Sequence, residues 1–158
     1  MKAFTLWQPW ATLVVTGCKP WEFRSWRPSA SVIGQRIVIH AAARKIDQAE
    51  VDQLIRLLEA GGRYAAATAL APIERAIAVL TAGDFPLAAG LGTAIVREPR
   101  SGADIGADLG LLKVNDSDRD YHTNWGWPMH DVERWPEPMP MRGRQGLWNW
   151  PTPEETIP

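Results

Sequence analysis

Lys19, Glu22 and Arg24 stand close together in the stretch GCKPWEFRSWRP, Gly17 to Pro28. A lysine can pair a phosphate as a point charge, and it serves as a base where burial lowers its pKa from about 10.4. An arginine offers a planar fork that suits a phosphate or the edge of a base. A glutamate can hold either cation in place, accept from an exocyclic amine, or act as general acid or base. Trp7, Trp10 and Trp26 lie nearby in sequence, and base–aromatic stacking is worth roughly 1–3 kcal/mol per base. Cation, carboxylate and aromatic ring in one place would suit a nucleotide. The same three charges could equally form a solvated ion-pair face, worth ~0–1 kcal/mol per exposed pair.

The elements that must position them follow from local pattern. Lys2 to Trp7 reads as a short strand, and Pro9 opens a helix that stops at Gly17. The charged stretch is then a strand. Trp21, Phe23 and Ser25 point one way and Glu22, Arg24 and Trp26 the other. Gln35 to His40 is the clearest strand, with Ile37, Val38 and Ile39 consecutive and β-branched. Asp47 and Glu50 form a capping box, and Ile46 can staple onto Val51. Val51, Leu54, Ile55 and Leu58 make one apolar stripe that ends at Gly61-Gly62, better suited to a core than to a partner groove. A second helix is predicted from near Pro72 to Gly83, in an alanine-rich block. Leu91 to Val96 is a strand, and residues 97–119 read as a long loop with at most one short strand. Trp127 to Trp135 and Gly146 to Trp150 are strand-like, joined by a proline-rich connector that suits an edge.

The chain of 158 residues is expected to form one domain over 1–150 with a flexible tail at 151–158. Hydrophobic content of 46% and charged content of 22% are ordinary for a globular protein. No apolar run approaches the ~20 residues that span a bilayer. The N-terminal residues lack an apolar signal core, and Cys18 is the single cysteine, so a reducing cytoplasm is expected. Net charge is −1, but residues 1–46 carry seven basic side chains against the one acid Glu22. Such a segment can form a patch that attracts polyanions, or scatter its charges over several faces. All nine tryptophans fall within 7–26 or 125–150. Large aromatics gather in one core or pocket, so the two ends of the chain are expected to meet. The pattern predicts an α+β, mainly β architecture, a small closed or partly closed barrel with two to three helices outside.

The run Gly17-Cys18-Lys19-Pro20-Trp21-Glu22-Phe23-Arg24 resembles the G-x-K-x-x-E-x-R signature of ASCH domains, named for homology to activating signal cointegrator 1. The preceding LWQPWATLVVTG, with Gln8-Pro9-Trp10, resembles their opening strand and helix. RIVIHAAA, FPLAAGLGTAIV and the closing WPMHDVERWPEPMPMRGRQGLWNW are similar to later family segments. Residues 63–82 and 97–119 match poorly and look like variable insertions.

The resemblance implies a PUA-like β-barrel with a cleft between barrel and helices, the cleft holding the Lys-Glu-Arg motif. It implies RNA or a nucleotide as partner and no membrane. The ligand-binding candidates are then Lys19, Glu22, Arg24, Trp7, Gln8, Trp10, Trp26, His122 and Trp125, with Lys19 and Glu22 as the catalytic pair if there is chemistry. The alternative is a hydrolase, either an N4-acetylcytidine-type amidohydrolase or a ribonuclease on single-stranded RNA. No cofactor is expected, and magnesium belongs only to the ribonuclease alternative. In the amidohydrolase branch a threonine nucleophile follows the lysine by three residues, where this chain has Glu22. Cys18 is expected to point away from Lys19 and Ser25 to face the core, so neither replaces it.

A metal site has little support. His40, His122 and His130 fall in different elements without ligand spacing, and His40 reads as a satisfied core histidine. Asp116, Asp118 and Asp120 resemble half of a calcium loop but read as solvated. Tyr121, His122 and Asn124 precede Trp125 and are expected to line the cleft opposite Lys19, where His122 could act as acid or base on RNA.

Overall fold

Ile37, Val38 and Ile39 lie in the middle of the sheet. The computed structural model, which describes residues 1–112, 114 and 123–152, has them in β3, Arg36–Ala41. β3 pairs in parallel with β1 (Lys2–Leu6) and antiparallel with β4 (Ala89–Val96). Ile37, Ile39 and Ala41 enter one core cluster, and Val38 enters another on the opposite face. A continuous β-branched run is what a strand covered on both faces requires.

From β4 the sheet continues to β6 (Trp125–Pro140) and then β2 (Trp21–Arg24). From β1 it continues to β7 (Leu147–Asn149), antiparallel. The Trp150 amide donates to the Met1 carbonyl at 2.9 Å, so the two ends of the described chain do meet. The order is β2-β6-β4-β3-β1-β7, with β5 (Arg100–Ser101) added to β6. This mixed sheet curls into a half-barrel with helices packed against it, α+β and mainly β.

α1 (Trp10–Val15) and α2 (Gln48–Ala60) lie where the sequence predicts them. Asp47 caps α2 by accepting from the Ala49 amide at 2.9 Å, and Gly61 ends it at φ +69°. Val51, Leu54, Ile55 and Leu58 all pack with Leu13 and Leu80, so the stripe is core. α4 (Ile73–Ala82) runs between Pro72 and Gly83.

Two helices were not expected. α3 (Gly62–Ala67) follows α2 directly. α5 (Gly102–Asp108) occupies part of the segment read as a long loop. The described residues therefore hold five helices rather than two or three. Ser101 caps α5 by accepting from the Asp104 amide at 3.1 Å. Gly126 on β6 makes the docking space: a Cβ there would strike Ile105 and come within 3.0 Å of Trp21. The glycine-dotted sequence hid this helix because its support comes from residues far along the chain.

β6 is also longer than predicted and runs straight through the proline-rich connector. From Met129 onward it pairs with β4 alone. Pro136, Pro138 and Pro140 therefore lie on an open edge, where a missing amide breaks no ladder. The tryptophans do not share one region. Trp125 and Trp127 pack in the half-barrel, while Trp135, Trp148 and Trp150 pack on the other face of the sheet.

Candidate functional site

Gly17, at φ +76°, turns the chain out of α1. The amides of Cys18 and Lys19 both donate to the Leu13 carbonyl, at 2.9 and 3.0 Å. That double bond fixes the approach to β2. Within β2 the alternation is as predicted. Phe23 packs outward with Trp21 against Ile105 and Val114. Glu22 and Arg24 lie on the other face, opposite Trp127 and Trp125 respectively on β6. β2 ends at Arg24, so the alternation stops there, and Ser25 is exposed rather than turned to the core.

The three charges form a graded line from interior to surface. The Lys19 side chain is 2% exposed, with its ammonium 3.6 Å from Glu22 Oε2. The ammonium also lies 5.3 Å from the Trp10 ring centre and 5.1 Å from that of Phe23. Glu22 is 7% exposed, and its Oε1 is 3.0 Å from Nη2 of Arg24, whose side chain is 33% exposed. The Arg24 guanidinium lies over Phe4, 4.7 Å from the ring centre. Its Nε is buried with no hydrogen-bond partner among the described residues. The solvated ion-pair face is thus excluded for Lys19 and Glu22. Two charges this deep persist because each faces an opposite charge, and the aromatic walls add cation–π attraction.

Around Arg24 the aromatics form a connected set. Phe4 stacks on Trp127 at 5.1 Å. Trp26 meets Trp127 edge to face at 4.7 Å and remains 42% exposed. The Trp127 indole N–H donates to the Trp26 carbonyl at 3.1 Å, which fixes the backbone of Trp26 independently of its ring. Arg27 lies over Trp125 at 4.9 Å and pairs with Glu98 at 2.7 Å. Phe4, Phe23 and Trp127 were not among the ligand-binding candidates read from the sequence. The alternation of β1 could have flagged Phe4. Trp127 enters only through the cross-strand register with Glu22.

The remaining candidates are dispersed. Trp10 belongs to the Lys19 end. Trp7 is exposed and carries Arg44 over its ring at 4.0 Å. Gln8 is part of the scaffold: its Oε1 accepts from the Thr12 amide at 3.1 Å, and its Nε2 donates to the Pro86 carbonyl at 2.8 Å. His122, with Tyr121, Asp116, Asp118 and Asp120, lies outside the described residues. Cys18 faces the helical cluster, away from Lys19. The basic residues of the first segment scatter rather than share a patch. Arg36 pairs with Glu133 at 3.3 Å, and Lys2 donates to Asn149 at 2.7 Å.

His40 is fully buried and hydrogen-bonded at both ring nitrogens. Nε2 lies 2.8 Å from the Met141 carbonyl, and Nδ1 lies 3.3 Å from Thr5 Oγ1. Thr5 Oγ1 also accepts from the Trp148 indole at 3.0 Å. The carbonyl assigns the proton to Nε2 and leaves Nδ1 to accept from the threonine hydroxyl. Burial lowers the His40 pKa below 6.5, and the bond to Met141 opposes this in part. Among the described residues no group of three or more His, Cys, Asp and Glu could hold a metal ion.

A small cavity of about 110 Å³ lies between α1 and the β4–β6 pair, bordered by Thr12, Leu91, Trp135 and the Asp84–Arg134 ion pair. None of Lys19, Glu22 and Arg24 lines it. Among the described residues the charged triplet forms a packed ladder whose exposed end is Arg24.

No curated protein matches the chain. Among solved structures, ASCH from Zymomonas mobilis is similar at 17% identity, covering 98% of this chain and 90% of that one, with a TM-score of 0.52. Two single-substitution variants of the same Zymomonas protein match equally, each at 17% identity and 98% of this chain, with TM-scores of 0.51 and 0.52. At this identity the likeness speaks for the fold. No helix among the described residues is long and apolar enough to cross a membrane. The ASCH domain model matches residues 4–125, which takes in the opening strand and helix, the Lys19–Glu22–Arg24 ladder and the start of β6. The match spans well over half of the chain, and the chain belongs to the ASCH domain family.

Proposed function

We propose that this protein binds single-stranded RNA at the open end of the ladder, through Arg24, Trp26, Arg27 and Trp125. The observation that carries the reading is that Arg24 and Trp26 both lie against the Phe4 ring, at 4.7 and 6.4 Å from its centre. A guanidinium one-third exposed and an indole 42% exposed thus share one aromatic support. The first suits a phosphate oxygen and the second a base face. An unpaired base is needed because a duplex does not present its faces for stacking. The reading needs no cofactor.

The test is a titration of short single-stranded RNA, and separately of cytidine and N4-acetylcytidine, followed by tryptophan fluorescence at two salt concentrations. Binding should saturate, weaken steeply with salt as counterions are released, and leave the RNA intact. Tight binding of a nucleoside alone, or a cleaved or deacylated product, would replace this reading with the hydrolase. The hydrolase has less support because Lys19 and Glu22 are closed off from solvent and Cys18 faces away. Silence with every ligand would sink the RNA reading.

A further inference from the structure

We infer that Lys19 is a positioning residue: it acts through Glu22 to aim the Arg24 guanidinium outward, and RNA contacts Arg24 but never Lys19. The inference rests on the RNA reading above.

The burial of the three side chains falls in order, with Lys19 2%, Glu22 7% and Arg24 33% exposed. A phosphate cannot reach an ammonium enclosed by Trp10, Phe23 and Glu22 without those walls moving. The Glu22 carboxylate faces a cation on each side, one oxygen toward Lys19 and the other toward Arg24. Lys19 thus offsets the charge of the buried carboxylate from within. The carboxylate holds one edge of the guanidinium, and Phe4 covers one face of it. The charge sequence from inside out is plus, minus, plus, so the ladder ends in a cation at its exposed end. An arginine held at both edge and face loses little side-chain entropy on meeting a phosphate. This explains how a lysine can matter to binding while untouched by the ligand.

The experiment measures the affinity of a short oligouridine strand over a range of salt for the wild type, Arg24→Gln, Lys19→Met and Glu22→Gln, each checked for folding by circular dichroism. Salt-dependent binding by the wild type tests the RNA reading itself. Given that binding, Arg24→Gln should lower the slope of log affinity against log salt by about one, the signature of one lost phosphate contact. Lys19→Met and Glu22→Gln should weaken binding by roughly 5- to 20-fold with the slope unchanged. A slope that falls by about one in Lys19→Met, and not in Arg24→Gln, overturns the assignment. A second measurement needs no variant. The wild type is acylated with an N-hydroxysuccinimide ester, with and without oligouridine, and mapped by mass spectrometry. Exposed Lys2 and Lys45 should be labelled and Lys19 spared in both samples. Labelling of Lys19 in the free protein that RNA then blocks overturns the inference.

Discussion

The Arg24 guanidinium lies 4.7 Å from the centre of the Phe4 ring, on strands that are not neighbours in the sheet. Phe4 stacks in turn on Trp127, so β1 is joined to the β2–β6 pair across the half-barrel by side chains and not by backbone bonds. The same contacts that close the fold at this point also hold the one exposed cation of the ladder.

Trp26→Ala should weaken single-stranded RNA binding by about tenfold, within the 1–3 kcal/mol expected for one stacked base. The backbone bond from Trp127 to the Trp26 carbonyl survives the change, so the thermal midpoint should move little. Fluorescence or anisotropy titration beside a melting curve checks both, and unchanged affinity would remove Trp26 from the interface.

Glu22→Gln should cost about 3 kcal/mol of stability, because it removes a buried charge that faces both Lys19 and Arg24. Urea unfolding of wild type, Glu22→Gln, Lys19→Met and the double variant gives the coupling directly. The double variant should be more stable than Glu22→Gln alone. A loss under about 0.5 kcal/mol in Glu22→Gln would be the size of an ordinary surface change and would contradict the burial of the pair.

His40 predicts a stability that falls in mild acid. Its folded pKa lies below the unfolded value of 6.5 because burial disfavours the cation. In that window the unfolded chain binds the proton and the folded one does not, so unfolding is favoured as pH drops. The stabilisation is complete above about pH 6.5 and is lost as pH falls toward the folded pKa. A charged ring would also turn Nδ1 into a donor facing Thr5 Oγ1, which already accepts from Trp148. Urea midpoints measured between pH 7.5 and 5 should decline in the wild type and flatten in His40→Gln. Equal slopes in the two would assign the acid sensitivity elsewhere.

Gly92→Ala should destabilise the fold by about 2 kcal/mol or more, through overpacking in a paired strand. A Cβ at this position would collide with the Glu133 carbonyl and reach the Arg134 Cα at 3.0 Å. Gly61→Ala, with nothing within 4 Å, isolates the cost of its positive φ alone. Thermal melting that ranks the two the other way would show that β4 and β6 can move apart.

Much of the scaffold was legible because its signals are local. Asp47 and Gly61 bracket α2, Pro72 and Gly83 bracket α4, and Ile37-Val38-Ile39 mark the strand buried on both faces. Period two in β2 was enough to set Glu22 and Arg24 on one face and Phe23 on the other. The confinement of tryptophan to the ends of the sequence correctly indicated that those ends meet, but not that the rings divide between two faces of the sheet.

The tertiary structure alone decided depth. No spacing rule could show that Lys19 is sealed while Arg24 reaches solvent, because that gradient depends on Trp10, Phe4 and Trp127 arriving from three other elements. Nor could local pattern find α5, which docks only because Gly126, far along the chain, leaves it room. Gln8 shows the same limit in reverse: a polar residue in a promising motif is committed to Thr12 and Pro86 once the chain is folded. The sequence by itself determined which residues share a strand face, since that follows from backbone geometry. What covers that face, and so which charge a ligand can meet, was settled by packing between residues distant in the chain.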